Sequence, residues 1–350
     1  MRRAYFIPYI LQFKQASGTS RGVLRTKDTW FIIVEGDHKI GIGECGMFRG
    51  LSFDDVTNYE SKLQWACEHI DIGLEALLSQ LNAFPSIQFG LEMAFKSFES
   101  SDRFELYPSD FTKNNKSIPI NGLIWMGSKK FMNDQIKTKL SEGFDCIKMK
   151  IGAIDFETEL GLLKLIRNEF SSETIELRVD ANGAFKPMEA LEKLKRLSDY
   201  DLHSIEQPIR QGQWQEMAEL CEQTPLPIAL DEELIGIVDD QTKSTLLNEI
   251  QPQYIILKPT LVGGFRGSES WIERAEQQHI GWWITSALES NIGLNAIAQW
   301  TYTLQSNRPQ GLGTGGLFTN NFDSPLVVKN GTLRYENNLN WDINNLKLKQ

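Results

Sequence analysis

Five charged residues close five apolar stretches: Lys150 in CIKMKIG, Asp180 in ELRVDANG, Glu206 in HSIEQPI, Asp231 in PIALDEE and Lys258 in YIILKPT. Successive members lie 30, 26, 25 and 27 residues apart. Brought together, the three carboxylates would repel one another unless a cation held them. Oxygen-only ligands with positions left open suit Mg²⁺, with Mn²⁺ as a substitute. A lysine on either side of such a set supplies two acid/base groups, and the combination points to proton chemistry at a carbon next to a carboxylate. A lysine acting as base must be neutral, and the positive charges of Lys148 and of the cation favour that form of Lys150. The plainer alternative is a set of salt bridges between these lysines and acids. Buried ion pairs stabilise poorly, however, and three acids on consecutive elements are hard to explain by stability alone.

Such spacing requires a repeating element to carry it. A strand, a helix and two loops occupy about 25–30 residues, so each step reads as one βα unit. Eight strands are expected between Ile118 and Gly316, beginning with IPINGLIWMG and ending with GLGTGG, with helices such as Lys129–Glu142 and Asp155–Glu169 between them. Repeated βα units close into a barrel whose chemistry gathers at the strand C-terminal ends. Side-chain parity agrees. Lys148 and Lys150 share one face, and Ile147, Met149 and Ile151 share the other. Arg178, Asp180 and Asn182 oppose Leu177, Val179 and Ala181 in the same way. The predicted organisation is an α/β chain with three parts. Residues 1–115 form an N-terminal α+β capping domain, residues 116–319 a (β/α) barrel, and the tail 320–350 returns to the cap. In the cap, Tyr5–Phe13 reads as a strand, and Trp30–Glu35 and Lys39–Gly43 as two more. The polar stretch Lys14–Asp28 reads as a loop. A doubly wound sheet is the rival, but Gly41-Ile42-Gly43 is only a partial dinucleotide motif and no suitable helix follows it.

With 350 residues, 41% of them hydrophobic, the chain can bury a full core. A net charge of −10 argues against nucleic acid or an anionic membrane as a partner, and leaves a small anionic carboxylate as the expected one. Cys45, Cys67, Cys146 and Cys221 show neither a CxxC pair nor zinc spacing, so a reduced, cytoplasmic setting is expected. No apolar run is long enough to span a bilayer. Asn330-Gly331 reads as a hairpin turn.

At these residues the chain resembles the enolase superfamily. The Lys148-Met149-Lys150 motif is similar to that of the muconate-lactonizing subgroup. The phrases RVDANGAF, SIEQPI, PIALDEEL, ILKPTLVGG, SALESNIGLNAIAQW and GLGTGGLF resemble a branch that dehydrates a succinyl-bearing cyclohexadiene carboxylate to an aromatic product in menaquinone synthesis. The resemblance covers nearly the whole chain and implies a modified (β/α)7β-type TIM barrel. It implies Asp180, Glu206 and Asp231 as ligands of Mg²⁺. It implies Lys150 as the base that then helps the hydroxyl leave, and Lys258 as a cation facing the other side of the ring. Thr285, Ser286, Gly313, Thr314 and Gly315 are expected near the succinyl group, and Arg178 and Asn182 as supports. The loop Ser17–Lys27, with Ser17, Gly18 and Arg21, is the expected lid.

Related racemases and epimerases share the two-lysine arrangement. Dipeptide epimerases usually carry Asp-x-Asp after the eighth strand, where this chain reads GTGG; N-acylamino acid racemisation stays open. None of His38, His69, His203 and His279 lies at the end of strand seven, which excludes a mandelate-type base. From another class, a metal-free aldolase could use Lys150 or Lys258 as a Schiff-base nucleophile. A barrel kept only for binding would be expected to have lost catalytic positions, and all five are present.

Overall fold

The computed structural model describes residues 2–19 and 22–348. The chain opens with a three-stranded antiparallel sheet, Arg3–Thr19, Gly22–Gly36 and Lys39–Met47. Its middle strand carries the run Trp30–Val34, buried throughout. Alternate residues of that run serve two different cores. Trp30, Ile32 and Val34 pack with the cap's own helices, and Phe31 and Ile33 join the core that continues into the barrel. Helix Pro85–Glu99 lies against the third strand at glycines. A Cβ on Gly43 would stand 1.8 Å from the Gly90 carbonyl oxygen, and one on Gly41 would stand 2.2 Å from that of Ala94. The GIG of the sequence is therefore a helix-docking surface, not a nucleotide loop.

The stretch expected to be a loop is a β-hairpin. The first two strands stay paired beyond Gln12↔Thr26, shift register, and pair again at Ser17↔Leu24, Gly18↔Val23 and Thr19↔Gly22. Residues 14–16 and 25–26 are exposed. Those exposed residues offer no apolar alternation to announce a strand, and backbone pairing continued from the buried part carries the ladder outward.

The barrel strands are Gly122–Ile124, Cys146–Lys150, Glu176–Asp180, Ser204–Glu206, Ile228–Leu230, Tyr254–Leu257 and Gly281–Ile284, hydrogen-bonded side by side in that order and parallel. The eighth is reduced to two single bridges, Ile120–Gln310 and Thr285–Gly311, which join strand seven to strand one. The outward set (Ile147, Met149, Leu177, Val179, Ile205, Ile228, Leu230) belongs to the large core beneath the surrounding helices, as parity predicts. Ala229, Ile256 and Trp283 point inward and plug the barrel's interior. That accounts for the mixed pattern of strand six.

The tail forms a hairpin, Leu326–Lys329 with Thr332–Tyr335, that pairs with Ser117–Pro119. Its turn residues Asn330 and Gly331 have φ of 50° and 64°, as the expected two-residue turn demands. Before the hairpin, the Phe322 ring packs on Tyr9 and Phe31 at centroid distances of 5.3 and 5.4 Å. No helix among the described residues is long and apolar enough to cross a membrane.

Candidate active site

Register places the acids. Lys150 is the cross-strand partner of Asp180, and Asp180 that of Glu206. The next strand pairs Ala229 with Glu206, and Asp231 follows two residues on. All of these side chains are buried at the C-terminal mouth of the barrel. Lys148 donates to Glu206 Oε2 at 2.7 Å and lies 3.3 Å from Asp180 Oδ2. Lys150 donates to Asp180 Oδ2 and Asn182 Oδ1, both at 2.7 Å. Across the mouth, Lys258 bonds Asp231 and lies 4.0 Å from Glu206 Oε1. Asn182 adopts φ 44° and donates its backbone N–H to Asp180 Oδ1 and its amide to Glu232 Oε1. It thereby braces Asp180 and Lys150 together.

The electrostatics follow from this packing. Burial opposes ionisation of Asp180, but Lys150 and Lys148 outweigh it and hold the carboxyl well below the usual range. Burial and then the charge of Asp180 push Glu206 well above it. Burial would lower Lys148, yet Glu206 and Asp180 hold it above the usual value, and Asp231 and Glu206 do the same for Lys258. Among the described residues no three acidic, histidine or cysteine side chains are gathered as a ligand set; each acid of the group turns to a lysine instead. The donors nevertheless fit a hard divalent cation. They are all carboxylate oxygens on adjacent strands, Glu206 Oε1 is buried with no hydrogen-bond partner, and burial with the charge of Asp180 opposes ionisation of Glu206.

The mouth opens into a cavity of about 510 Å³. Lys148, Lys150, Asp180, Asn182, Lys258, Thr285, Ser286, Gly313 and Thr314 line it, so most of the expected site converges. The hydroxyls of Ser286 and Thr314 lie 2.6 Å apart in a hydrogen bond. Two expectations need correction. Gly315 lines a neighbouring cavity instead, and its carbonyl accepts from Asn321 at 2.8 Å. Arg178 lies deeper, inside the barrel, where it donates to Glu176 and Pro309 and its guanidinium covers the Trp283 ring at 4.3 Å. It braces the barrel interior one layer below the cavity, because parity fixes only the face of a side chain and not its depth. The lid residues Ser17 and Gly18 belong to the first arm of the hairpin, and Arg21 lies outside the described residues. Within the expected lid stretch Ser17–Lys27, Gly22–Leu24 line the cavity, together with Phe48–Leu51 of the cap.

The sequence reading missed Asn121, Leu123 and Trp125 of strand one, which also line the cavity. Their alternation was a usable signal, since residues 121, 123 and 125 share the inward face. Lys150 Nζ lies 6.0 Å from the Trp125 ring centroid. Two contacts tie the cap to the loop after strand seven. Lys27 donates to the Ala287 and Leu288 carbonyls at 2.7 and 3.0 Å. Glu44 accepts the Ser290 and Gly293 backbone N–H groups, both at 2.8 Å, at the start of helix Asn291–Thr303.

Comparison with known proteins places the chain among enzymes of similar design. The family model described as enolase C-terminal domain-like matches residues 132–338. An o-succinylbenzoate synthase of Desulfotalea psychrophila is 49% identical over 92% of this chain and 96% of its own length. The crystal structure of MenC from Desulfotalea psychrophila superposes with a TM-score of 0.85 at 45% identity, covering 95% of this chain and 99% of that one. A muconate lactonizing enzyme from Pseudomonas fluorescens shares the fold at 20% identity, with a TM-score of 0.83 and 98% and 97% of the two chains covered.

Proposed function

The chain belongs to the enolase C-terminal domain-like family, and from that membership we propose that it dehydrates 2-succinyl-6-hydroxy-2,4-cyclohexadiene-1-carboxylate to o-succinylbenzoate. What supports the reading is that Lys150 and Lys258, on strands two and six, line one cavity with Asp180, while Glu206 and Asp231 on the strands between pair with Lys148 and Lys258. Enzymes of the enolase superfamily use a divalent metal, typically Mg²⁺. In this chain Asp180, Glu206 and Asp231 would hold it, and Mg²⁺ is the ion proposed. When bound, it supplies Lewis-acid stabilisation for negative charge building on the substrate carboxylate.

The chain's own groups do the rest. Lys150, fixed by Asp180 and Asn182, takes the proton from the carbon next to the carboxylate. Negative charge spreads into the ring, and the Lys258 ammonium on the opposite wall stabilises it. Lys150, now protonated, returns the proton to the departing hydroxyl on the same face, and water leaves. The ring becomes aromatic, so the elimination is downhill and the deprotonation barrier is the one to lower. Leu24, Phe48, Trp125 and Leu288 give the cavity apolar walls that exclude water from the ring.

Lysines on both faces also make N-acylamino acid racemisation geometrically available, as a second activity of the same site. The test is direct: native protein with Mg²⁺ and the cyclohexadiene substrate, followed by ultraviolet absorbance of the aromatic product, with Lys150→Ala as control. No aromatic product from folded native protein would move the assignment to racemisation, and native-rate turnover by Lys150→Ala would remove Lys150 as base.

A further inference from the structure

Leu288, in the loop after strand seven, sits in a backbone conformation that its residue type disfavours. Its φ is 55°, and among the described non-glycine residues with positive φ it alone carries an apolar side chain. Asn and Asp tolerate the left-handed region, but a bulky apolar residue stays there only when its surroundings hold it. The Leu288 side chain packs with Leu11 and Phe318 in an apolar cluster joined by Leu24, Phe48 and Trp125. The last three line the cavity together with Leu288, so the strained residue is also part of the wall beside the substrate.

The hold on Leu288 comes from both domains. On the barrel side its N–H donates to Ser286 Oγ at 3.1 Å, and that hydroxyl is itself hydrogen-bonded to Thr314. On the cap side, the Lys27 ammonium donates to the Ala287 and Leu288 carbonyls at 2.7 and 3.0 Å. These carbonyls belong to the two peptide groups that flank the Leu288 Cα. In an extended residue they would point opposite ways, so one ammonium can meet both only while Leu288 stays coiled. Lys27 is 3% exposed, and a charge buried so deeply is costly unless it is bonded. Gly46 on the next strand leaves room for it, since a Cβ there would stand 2.5 Å from Lys27 Nζ. Lys27 does not line the cavity itself, so its route to the substrate runs through Leu288.

We propose that Lys27 is a positioning residue: it holds Leu288 in the left-handed conformation, so that docking of the cap completes the apolar wall against which the substrate ring packs. The ammonium makes no contact with the reacting atoms. It fixes the two peptide planes on either side of Leu288, and the side chain is aimed as a consequence. Without it, Leu288 relaxes to an ordinary backbone conformation, its side chain leaves Leu24 and Trp125, and the wall opens to water. The link to the substrate ring rests on the dehydratase reading; the hold on Leu288 does not.

Hydrogen–deuterium exchange and turnover, both on the whole protein in Mg²⁺ buffer, test the proposal. In Lys27→Met the amides of residues 285–290 are expected to exchange at least tenfold faster than in the native protein, with strand Cys146–Lys150 unchanged. With the cyclohexadiene substrate, KM should rise tenfold or more while kcat changes less than threefold. Leu288→Asn accepts the left-handed backbone more readily but loses the apolar wall, so it should raise KM by itself. Adding Lys27→Met to it should then change KM less than threefold further, because the two residues act as one unit. A lysine that merely stabilised the fold would multiply its effect onto that of Leu288→Asn. If Lys27→Met does not fold, Gly46→Ala, whose Cβ takes the space of the ammonium, is read by the same measures. Native exchange at residues 285–290 in the folded variant, or KM effects that multiply in full, overturns the proposal. If native protein makes no aromatic product, the dehydratase reading fails and exchange alone decides whether Lys27 holds Leu288.

Discussion

The Lys148 ammonium donates to one oxygen of Glu206 at 2.7 Å, while the other oxygen of Glu206 is buried without a hydrogen-bond partner, 4.0 Å from the Lys258 ammonium. One carboxylate thus carries both an internal ion pair and an oxygen, not engaged in a hydrogen bond, that a cation would take.

Removal of metal is therefore expected to abolish turnover without unfolding the protein. EDTA should leave the circular dichroism spectrum unchanged and stop product formation, and Mg²⁺ should restore it. Mg²⁺ at a hundred times its Kd should raise the unfolding free energy by about 2.7 kcal/mol, read by denaturant titration. Glu206→Gln should lose that increment. Full activity in EDTA would support the Schiff-base alternative, as would borohydride trapping of a lysine adduct.

The two lysines should fail differently. Lys150 bridges Asp180 and Asn182 and is proposed to move the proton; its loss to Ala is expected to lower kcat by about 10²–10⁴. Proton–deuterium exchange at that carbon should vanish with it. Lys258→Arg keeps a cation on the opposite wall and should retain far more dehydration than Lys150→Arg. Equal losses in the two Arg variants would contradict the division of roles.

Close packing between the cap's sheet and helix makes Gly43 irreplaceable. Its added Cβ would lie 1.8 Å from the Gly90 carbonyl, which is backbone and cannot rotate away. Gly43→Ala is expected to cost about 3 kcal/mol or more. Gly161, within helix Phe156–Glu169, has nothing within 4 Å of its Cβ position. Gly161→Ala should accordingly stabilise by about 0.5–1 kcal/mol. Urea midpoints at fixed slope read both.

Stability should also fall as pH rises from 5 to 8, partly through Glu92. Its carboxylate is buried, accepts the Phe265 and Arg266 backbone N–H groups across the cap–barrel contact, and is pushed by burial up to about 7. A folded-state pKa above the unfolded one means the native state holds the extra proton between about pH 4.5 and 7. The associated stability is present below that window and lost on passing up through it. Glu92→Gln should remove about 2–3 kcal/mol of the loss between pH 5 and 8. Asp54, pushed to about 6 by burial, and Glu159, pushed to about 7, act in the same direction and leave a residual slope. A variant with the native pH dependence would mean that Glu92 ionises normally in the folded protein.

How much of this was legible in the sequence depends on range. The alternation of Lys148 and Lys150 against Ile147 and Met149, and of Asp180 against Val179, is fixed within five residues of chain, because successive strand residues face opposite ways. The repeat of about 27 residues is similarly local, one strand and one helix at a time. From those two facts the barrel and its charged mouth were readable, and the Asn330-Gly331 dipeptide announced its own turn. The strand pairing at 14–19 and 22–26 was not, since the exposed residues 14–16 and 25–26 carry no apolar signature.

Closure of the barrel decided the rest. It set Lys148 against Glu206, 58 residues on, and dropped Arg178 a layer below the mouth. It also laid Glu44 against Ser290 at a separation of 246 residues. Which face a side chain takes is a property of the local backbone. Which partner it meets there depends on how far around the barrel, and how deep within it, the folded chain has placed both.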